Sequence, residues 1–189
     1  MDHDETELST AEIAAMARRI DHPVVLVGMM GTGKSSIGRR LASLLHLPFV
    51  DADEAIEEAA QLTIAEIFER HGEAAFRDGE RRVIARLMDG ERKVIATGGG
   101  AFVNAETRAL ILSKAITVWL DADIDTLVER TARKNTRPLL RQGDPREILT
   151  RLRDERRPAY AEAPIHITSG RGPQSRTVAR VLKEIDAWL

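Results

Sequence analysis

A strand, a glycine-rich loop and a helix follow one another in residues 24–42, VVLVGMMGTGKSSIGRRLA, and this segment constrains the fold more than any other. The four aliphatic residues at its start predict a fully buried strand. Residues 28–35 fit the motif G-x-x-x-x-G-K-[ST], in which main-chain N–H groups of a strand-to-helix loop surround phosphate oxygens. The sequence therefore predicts a site for a nucleoside triphosphate. A tight glycine turn that binds nothing is the structural alternative.

Each residue of this loop has an expected part in phosphate binding. We expect Lys34 to reach the β- and γ-phosphates, Ser35 to ligate Mg²⁺ through its hydroxyl, and Ser36 to bond a phosphate oxygen. The N-terminus of the following helix adds partial positive charge. The other loop residues predicted to contact ATP are Gly28, Gly31, Thr32 and Gly33.

The rest of the sequence alternates short apolar segments with amphipathic ones. Strands are predicted at residues 24–28, 48–53, 93–100, 115–123 and 165–169. Helices are predicted at about 34–45, 63–72, 73–88, 104–112, 146–160 and 175–188, with one more starting near Glu54 and one ending near Lys134. This alternation predicts an α/β fold with a five-stranded parallel sheet and helices on both faces. Ligands bind at the carboxyl ends of strands in such sheets, which places residues 28–35, 51–53 and 97–100 at one edge.

Length and composition fit a single domain. The chain has 189 residues, of which 43% are hydrophobic and 31% charged, enough for a substantial core. We expect the domain at residues 23–189, after an N-terminal extension at residues 1–22. The extension contains a predicted helix, capped by Ser9 or Thr10. The apolar residues on one face of that helix are Ile13, Met16, Ala17 and Ile20.

Charge and cysteine content exclude several classes of protein. The net charge of −2 gives no overall attraction to nucleic acid or to an anionic membrane. The absence of cysteine excludes disulfides and thiolate zinc sites. No apolar run approaches the roughly 18 residues that span a bilayer, and the acidic start lacks the hydrophobic core of a secretory signal. We expect a cytoplasmic monomer without nucleic-acid or membrane partners.

Two neighbouring carboxylates favour a kinase that acts on a small molecule. Asp51 and Asp53 are two residues apart, so on an extended segment they point to the same face. One carboxylate is expected to take a substrate hydroxyl proton while the other organises the waters of Mg²⁺. The alternative is that one of them only caps the helix that starts near Glu54. Motor-type ATPases carry an acidic residue at the end of an apolar strand. The most similar residue here is Asp121, after VWL, but it comes late in the chain.

A run of three glycines and a proline-flanked arginine add to this prediction. Gly98, Gly99 and Gly100 end a predicted strand although glycine weakens strands, which indicates a substrate lying directly on backbone N–H groups. A flexible turn is the alternative. Positive charge is dense in residues 130–157, mostly as a solvated helix face. Arg137 differs because it precedes a proline in a loop, where a mobile lid is expected to carry it onto the γ-phosphate.

Taken in order, these segments resemble the shikimate kinase family. The segments that carry the resemblance are GMMGTGKSS, FVDAD, IAEIFERHGEAAFRDGE, ATGGGAF, NTRPLL and ERRPAY, from about residue 23 onward. The resemblance implies a P-loop fold of the nucleoside monophosphate kinase type, with a lid at about residues 130–146 and a shikimate-binding segment at about residues 51–80. It also implies Mg²⁺-dependent transfer of the ATP γ-phosphate to the 3-hydroxyl of shikimate. The products would be ADP and shikimate 3-phosphate, on the route to chorismate and the aromatic amino acids.

The resemblance further implies roles for individual residues. Asp53 is similar to the residue that holds the ring hydroxyls and acts as the base, and Arg77 and Arg156 to the pair that grips the substrate carboxylate. The spacing to Pro158 favours Arg156 over its neighbour Arg157. The remaining matches are the lining triplet Gly98, Gly99 and Gly100, Ser35 and Asp51 on the Mg²⁺ side, Arg137 in the lid, Glu80 beside the arginines, and Arg130 and Arg171 near adenine.

Two other functions stay open at this point. One is a P-loop kinase of another small hydroxylated metabolite such as gluconate. The pair Arg77 and Arg156 argues against a neutral sugar as the acceptor, because a neutral sugar would not require both. The other is a nucleotide-dependent binding module that docks a partner on the basic residues 130–157.

Overall fold

A five-stranded parallel sheet forms the centre of the protein in a computed structural model that describes residues 8–133, 140 and 142–189. The strands are β1 (Val24–Val27), β2 (Phe49–Asp51), β3 (Val94–Ala96), β4 (Ile116–Ala122) and β5 (Ile165–Ser169). They lie in the order β2-β3-β1-β4-β5, and each neighbouring pair is parallel. The predicted five-stranded parallel sheet is confirmed.

Helices cover both faces of this sheet, as the alternating pattern predicts. They are α1 (Thr10–Arg19), α2 (Lys34–Leu45), α3 (Ala52–Ala60), α4 (Ile64–Met88), α5 (Ala105–Lys114), α6 (Ile124–Ala132), α7 (Pro145–Tyr160) and α8 (Gln174–Trp188), with a 3-10 turn at Ala101–Val103. Helices α1, α2 and α8 pack on one face, and α5, α6, α7 and the end of α4 pack on the other. Within the described part of the chain, no helix has the length and apolar character needed to cross a membrane.

The central strand β1 shows why this sheet has two covered faces. Val24 and Leu26 belong to the core on the side of α2 and α8, whereas Val25 and Val27 belong to the core on the opposite side. All four residues are buried. A strand that buries alternate side chains in two different cores is apolar throughout, which is the sequence pattern of VVLV.

Helices α3 and α4 form a hairpin with an apolar cluster of its own. Its buried members are Ile56, Ile67, Phe76 and Val83. Helix α4 begins with a capping box between Thr63 and Glu66 and is interrupted at Gly72, where φ is 80° and ψ is 173°. The predicted helices at 63–72 and 73–88 are therefore the two halves of α4, with the break at the expected glycine.

Two predicted strands are shorter in the structure because capping and turns end them early. The Asp51 carboxylate accepts hydrogen bonds from the N–H groups of Asp53 at 3.0 Å and Glu54 at 3.4 Å, so β2 stops there and α3 starts at once. Strand β3 ends at Ala96, and residues 98–100 lie in the turn that follows. The prediction that Asp51 and Asp53 share an extended segment is wrong, since Asp53 lies in the first turn of α3.

The predicted N-terminal helix is present as α1. Ser9 caps it and forms a capping box with Glu12. Met16 and Ile20 are buried in the core beside α2 and α8, and Arg92 donates hydrogen bonds to the carbonyls of Ala17 and Ile20 at 3.1 and 2.6 Å. Helix α1 is thus packed onto the rest of the fold.

Candidate functional site

The phosphate-binding motif forms a tight loop between β1 and α2. Gly28, Gly31 and Gly33 have φ values of 139°, 83° and 91°, in the left-handed region that favours glycine. At Gly28 an added Cβ would lie 2.2 Å from the carbonyl oxygen of Leu120, so no larger residue fits. Gly33 is the N-cap residue of α2, and no side chain caps that helix end. The loop and the helix N-terminus therefore have the form of an anion site.

The polar side chains of this loop are held close to its backbone. Lys34 is 8% exposed, and its Nζ donates hydrogen bonds of 2.7 Å to the carbonyl oxygens of Gly28 and Met29. The Thr32 hydroxyl donates to the same Met29 carbonyl at 2.9 Å, so this side chain stabilises the loop. Ser36 follows in the first turn of α2 and is exposed.

Ser35 joins the loop to β2. Its Oγ donates a hydrogen bond of 2.7 Å to Oδ2 of Asp51. One carboxylate oxygen of Asp51 therefore caps α3, and the other accepts from Ser35. Asp51 is thus a helix cap, as the alternative has it, and also a neighbour of the phosphate loop. A hydroxyl beside a carboxylate is a donor set suited to Mg²⁺, which binds oxygen ligands and usually shares them with substrate phosphates. In the described residues there is no group of three or more His, Cys, Asp or Glu that could hold a metal alone.

The glycine triplet (residues 98–100) brings together the three side chains predicted to bind substrate. A Cβ added to its first glycine would lie 2.6 Å from Oδ1 of Asp53, and one added to its second would lie 3.3 Å from Nη1 of Arg156. At the third, the added Cβ would lie 2.3 Å from Nη2 of Arg77. The second glycine also lies beside the phosphate loop: a Cβ added to it would be 3.5 Å from the Met30 nitrogen. Two cations and one carboxylate thus surround a backbone surface next to the loop.

A buried carboxylate holds one of these cations. Nη1 of Arg77 donates a hydrogen bond of 2.8 Å to Oε1 of Glu80, which is 1% exposed. Burial raises the pKa of the Glu80 carboxyl, and the negative charge of nearby Asp53 adds to this rise. The hydrogen bond and the positive charge of Arg77 act in the opposite direction. Arg77 and Glu80 are three residues apart on α4, so the helix itself presents them together.

The arginines predicted to lie near adenine have different surroundings. Nη1 of Arg130 lies 3.3 and 3.4 Å from the carbonyls of Gly31 and Thr32, and its Nη2 donates to the Gly170 carbonyl at 3.0 Å. Arg130 therefore links the phosphate loop to the segment after β5. Arg171 is exposed and lies 3.8 Å from a carboxylate oxygen of Asp125. Arg137 lies outside the described residues.

Tyr160, at the end of α7, touches the site without having been assigned a part in it. Its hydroxyl donates a hydrogen bond to the carbonyl oxygen of Gly99. Burial is the main reason that the pKa of Tyr160 rises to about 12, against smaller opposing effects of Arg156. The residue belongs to the ERRPAY segment, so the signal was present, but only the fold shows that α7 reaches the glycine triplet.

Comparisons with known proteins agree on one family. The sequence profile of that family, shikimate kinase, matches residues 30–186. The chain is 62% identical over 193 residues to a shikimate kinase of Novosphingobium aromaticivorans, with all of both chains covered. A shikimate kinase from Acinetobacter baumannii, solved in complex with shikimate, superposes with a TM-score of 0.85 at 35% identity and covers 90% of this chain and 97% of its own.

A less similar structural neighbour bears on the alternative substrate. A gluconokinase from Sinorhizobium meliloti matches with a TM-score of 0.61 at 15% identity, covering 88% of this chain and 93% of its own. At that identity the likeness shows a shared fold alone.

Proposed function

The chain belongs to the shikimate kinase family, and we propose how its residues divide the work of that activity, the transfer of the γ-phosphate of ATP to the 3-hydroxyl of shikimate. The phosphate loop takes the triphosphate of ATP through its main-chain N–H groups and Lys34. The glycine triplet and its three charged neighbours take shikimate. The two substrates then meet where the triplet adjoins the loop.

The grouping of Asp53, Arg77 and Arg156 around the glycine triplet is the observation that carries this proposal. Shikimate is a rigid ring with a carboxylate at one end and hydroxyls at the other. Each arginine is able to form charge-assisted hydrogen bonds to the carboxylate, typically about 1.5–3 kcal/mol for a bond to a charged group. With the carboxylate fixed, the ring hydroxyls lie toward Asp53, and the 3-hydroxyl is held for in-line attack.

In the transfer step we assign the proton to Asp53. The 3-hydroxyl oxygen forms a bond to the γ-phosphorus while the bond from that phosphorus to the bridging oxygen of ADP breaks. The hydroxyl proton passes to the Asp53 carboxylate. Lys34 stabilises the charge on the phosphate oxygens, and its hydrogen bonds to the carbonyls of Gly28 and Met29 hold its ammonium group against the loop.

Mg²⁺ and the remaining nucleotide contacts complete the proposal. Ser35 and Asp51 would hold Mg²⁺, which would shield the β- and γ-phosphate charge. Ser36 would bond a phosphate oxygen and Arg137 would reach the γ-phosphate from the lid. Arg130 and Arg171 would flank adenine. The monomeric state, the cytoplasmic location and the absence of nucleic-acid and membrane partners stay predictions, to be tested by light scattering, cell fractionation and binding assays.

A coupled assay of ADP release tests the substrate assignment. Release should require both shikimate and Mg²⁺, and gluconate or a nucleoside monophosphate should not replace shikimate. Activity with gluconate and none with shikimate would contradict the assignment.

The Arg77→Ala variant tests the carboxylate clamp. We expect its shikimate KM to rise by about 10- to 100-fold while the ATP KM changes little, because one charge-assisted contact is lost on the acceptor side alone. The matched control is Arg82→Ala on the same helix, since Arg82 is exposed and pairs with Asp78 at 2.9 Å. Equal increases in both KM values for Arg77→Ala would argue against a clamp.

A further inference from the structure

The hydrogen bond between Tyr160 and Gly99 connects two parts of the shikimate site. Tyr160 is the only tyrosine of the chain and is 1% exposed. Its hydroxyl donates to the Gly99 carbonyl, the middle carbonyl of the glycine triplet. Tyr160 is buried and Gly99 is partly buried, so breaking this contact leaves the hydroxyl without its partner at a cost. The bond spans 61 residues of sequence and joins the end of α7 to the turn after β3.

Helix α7 carries the carboxylate-binding arginine between two points of attachment. Arg153, Arg156 and Tyr160 recur at spacings of three and four residues, so they lie on one face of the helix. Nη2 of Arg153 donates to Oδ2 of Asp121 at 3.3 Å. Asp121 is buried near the carboxyl end of β4, and its other oxygen accepts from the Ala122 nitrogen at 2.8 Å. Arg156 therefore lies between an ion pair to β4 on one side and the Tyr160 hydroxyl on the other.

Packing leaves the Tyr160 ring in one place. The ring lies beside Trp119, with 5.9 Å between centroids, and Trp119 in turn stacks on His166 at 3.9 Å. Tyr160 and Trp119 both belong to the core on the face of α5, α6 and α7. Because the ring is fixed, the hydroxyl sets the distance between α7 and the glycine triplet.

We propose that Tyr160 is a positioning residue for shikimate, whose hydrogen bond to Gly99 fixes the glycine triplet relative to Arg156. The inference rests on the proposed function, in which the triplet and Arg156 contact the same acceptor. Nη1 of Arg156 lies 3.3 Å from where a Cβ on Gly99 would be, so a shift of the triplet by a fraction of that distance changes the shape of the shikimate site.

The effect should fall on shikimate and spare ATP. The phosphate loop has its own restraints, from Lys34 within it and from Arg130 to the segment after β5. Neither restraint involves Tyr160 or Gly99. Gly99 lies beside Met30 of the loop, but the hydrogen bonds that hold the loop remain when the Tyr160 hydroxyl is lost, so the change falls mainly on the acceptor site.

The Tyr160→Phe variant tests this, since it removes the hydroxyl and keeps the ring. The loss of one neutral hydrogen bond predicts a rise of about two- to tenfold in shikimate KM and in its dissociation constant measured by calorimetry, with ATP KM unchanged. The control is Ile185→Val, a buried site on the opposite face of the sheet, which lowers stability without touching the site. Its shikimate KM should stay at the wild-type value.

Two results would overturn the inference. One is a Tyr160→Phe enzyme with a normal shikimate KM and reduced stability, which would make the hydroxyl a purely structural group. The other is an equal rise in both KM values, which would indicate general distortion. Asp121→Asn tests the other attachment of α7, and here too a selective rise in shikimate KM supports the inference, whereas an unchanged one counts against it.

Arg156→Ala separates this inference from the proposed function. If Arg156→Ala leaves the shikimate KM unchanged, the proposed function fails and takes the inference with it. If Arg156→Ala raises that KM at least tenfold and Tyr160→Phe does not change it, the clamp stands and only the positioning part of Tyr160 fails.

Discussion

At the scale of single residues, the three charged groups proposed to bind shikimate lie against the glycine triplet, and one of them is also held by an ion pair. Glu80 holds Arg77, and the glycine triplet lies against Asp53, Arg156 and Arg77 in turn. Restrained side chains lose less conformational freedom when a ligand binds, so more of each contact appears as affinity. The residues of the site are therefore sensitive to small changes in the backbone between them.

The Gly100→Ala variant should fold and bind shikimate poorly. An added methyl group would lie 2.3 Å from Nη2 of Arg77, and the end of that flexible side chain would move aside rather than the backbone. We expect a rise of at least about tenfold in shikimate KM, as for a lost charge-assisted contact, with little change in stability. Steady-state kinetics measure the shikimate KM, and urea unfolding measures the stability. Gly79→Ala on α4, where an added Cβ meets nothing within 4 Å, is the control.

Glu80 should make the stability of the protein depend on pH in a definite direction. Its pKa is raised from 4.5, chiefly by burial, so the native state holds this proton more tightly than the unfolded chain does. The stabilisation is complete below about pH 4.5 and is lost as the pH rises through the folded pKa. The unfolding free energy of the wild type, relative to Glu80→Gln, should therefore fall as the pH rises from about 4.5 toward neutrality.

Urea unfolding of both proteins across this range measures that difference. The control is Asp78→Asn on the same helix. Arg81 and Arg82 lower the pKa of Asp78, so the stability that its carboxylate contributes is lost as the pH falls, the opposite direction to Glu80. An unfolding free energy that rises with pH for the wild type relative to Glu80→Gln would mean that the Arg77 interaction outweighs burial.

Much of the site could be predicted from sequence because its residues lie in short segments that keep their spacing. The phosphate loop is local, and its glycines have the dihedral angles that the motif requires. The glycine triplet stands out in the sequence by itself, but the pairing of Arg77 with Arg156 as a carboxylate clamp depends on family resemblance, because no local pattern places them together. The contact of Tyr160 with Gly99 was missed because it depends on how α7 packs, 61 residues away.

At the scale of elements, α4 belongs both to the apolar hairpin cluster and to the site, and it is kinked at Gly72. The half after Gly72 carries Arg77, which reaches the glycine triplet, and also Phe76 and Val83, which join Ile56 and Ile67 in the cluster. The glycine lets the second half take its own direction, which a continuous helix would not permit.

Substitution of the two glycines of α4 should have opposite effects on stability. Gly72 has φ 80° and ψ 173°, a conformation essentially confined to glycine, so Gly72→Ala should lower the unfolding free energy by about 1–3 kcal/mol. Gly79 is helical with open space around it, so Gly79→Ala should raise it by up to about 1 kcal/mol. Thermal or urea unfolding of the pair isolates the backbone effect, and a stable Gly72→Ala protein would contradict it.

The ends of elements were predicted less well than their presence. The sequence predicts that the strand of Asp51 runs to residue 53, but β2 ends at Asp51, whose carboxylate accepts from the first N–H groups of α3, as the helix-cap alternative has it. Likewise Pro145 begins α7 behind an Asp144 cap, one residue before the predicted start. Capping depends on a side-chain rotamer that periodicity does not encode.

At the scale of the whole molecule, α1 contributes to the main core although it precedes the phosphate loop. Met16 and Ile20 pack beside α2 and α8, and Arg19 pairs with Asp186 of α8 at 2.8 Å. The alternation of strands and helices predicted the sheet and its two covered faces. It does not encode which buried strand lies beside which, so the order of the strands required the structure.

Met16→Ala tests the part that α1 has in stability. Met16 is 1% exposed, and truncation of a buried methionine costs about 2–5 kcal/mol. The control is Leu44→Ala on α2, where the leucine is 44% exposed and the expected loss is within about 0.5 kcal/mol. Chemical denaturation of the full chain compares the two. Equal, small losses would mean that α1 adds little to the stability of the fold.

The crowding around the glycine triplet has a consequence for inhibitors of this enzyme. A compound that rests on residues 98–100 would touch a surface that cannot gain a side chain without displacing Asp53, Arg156 or Arg77. In the proposed site, a substitution on this surface that excluded the compound would also displace the groups assigned to shikimate binding. Resistance would have to emerge at other positions, which makes this small patch of backbone a durable target.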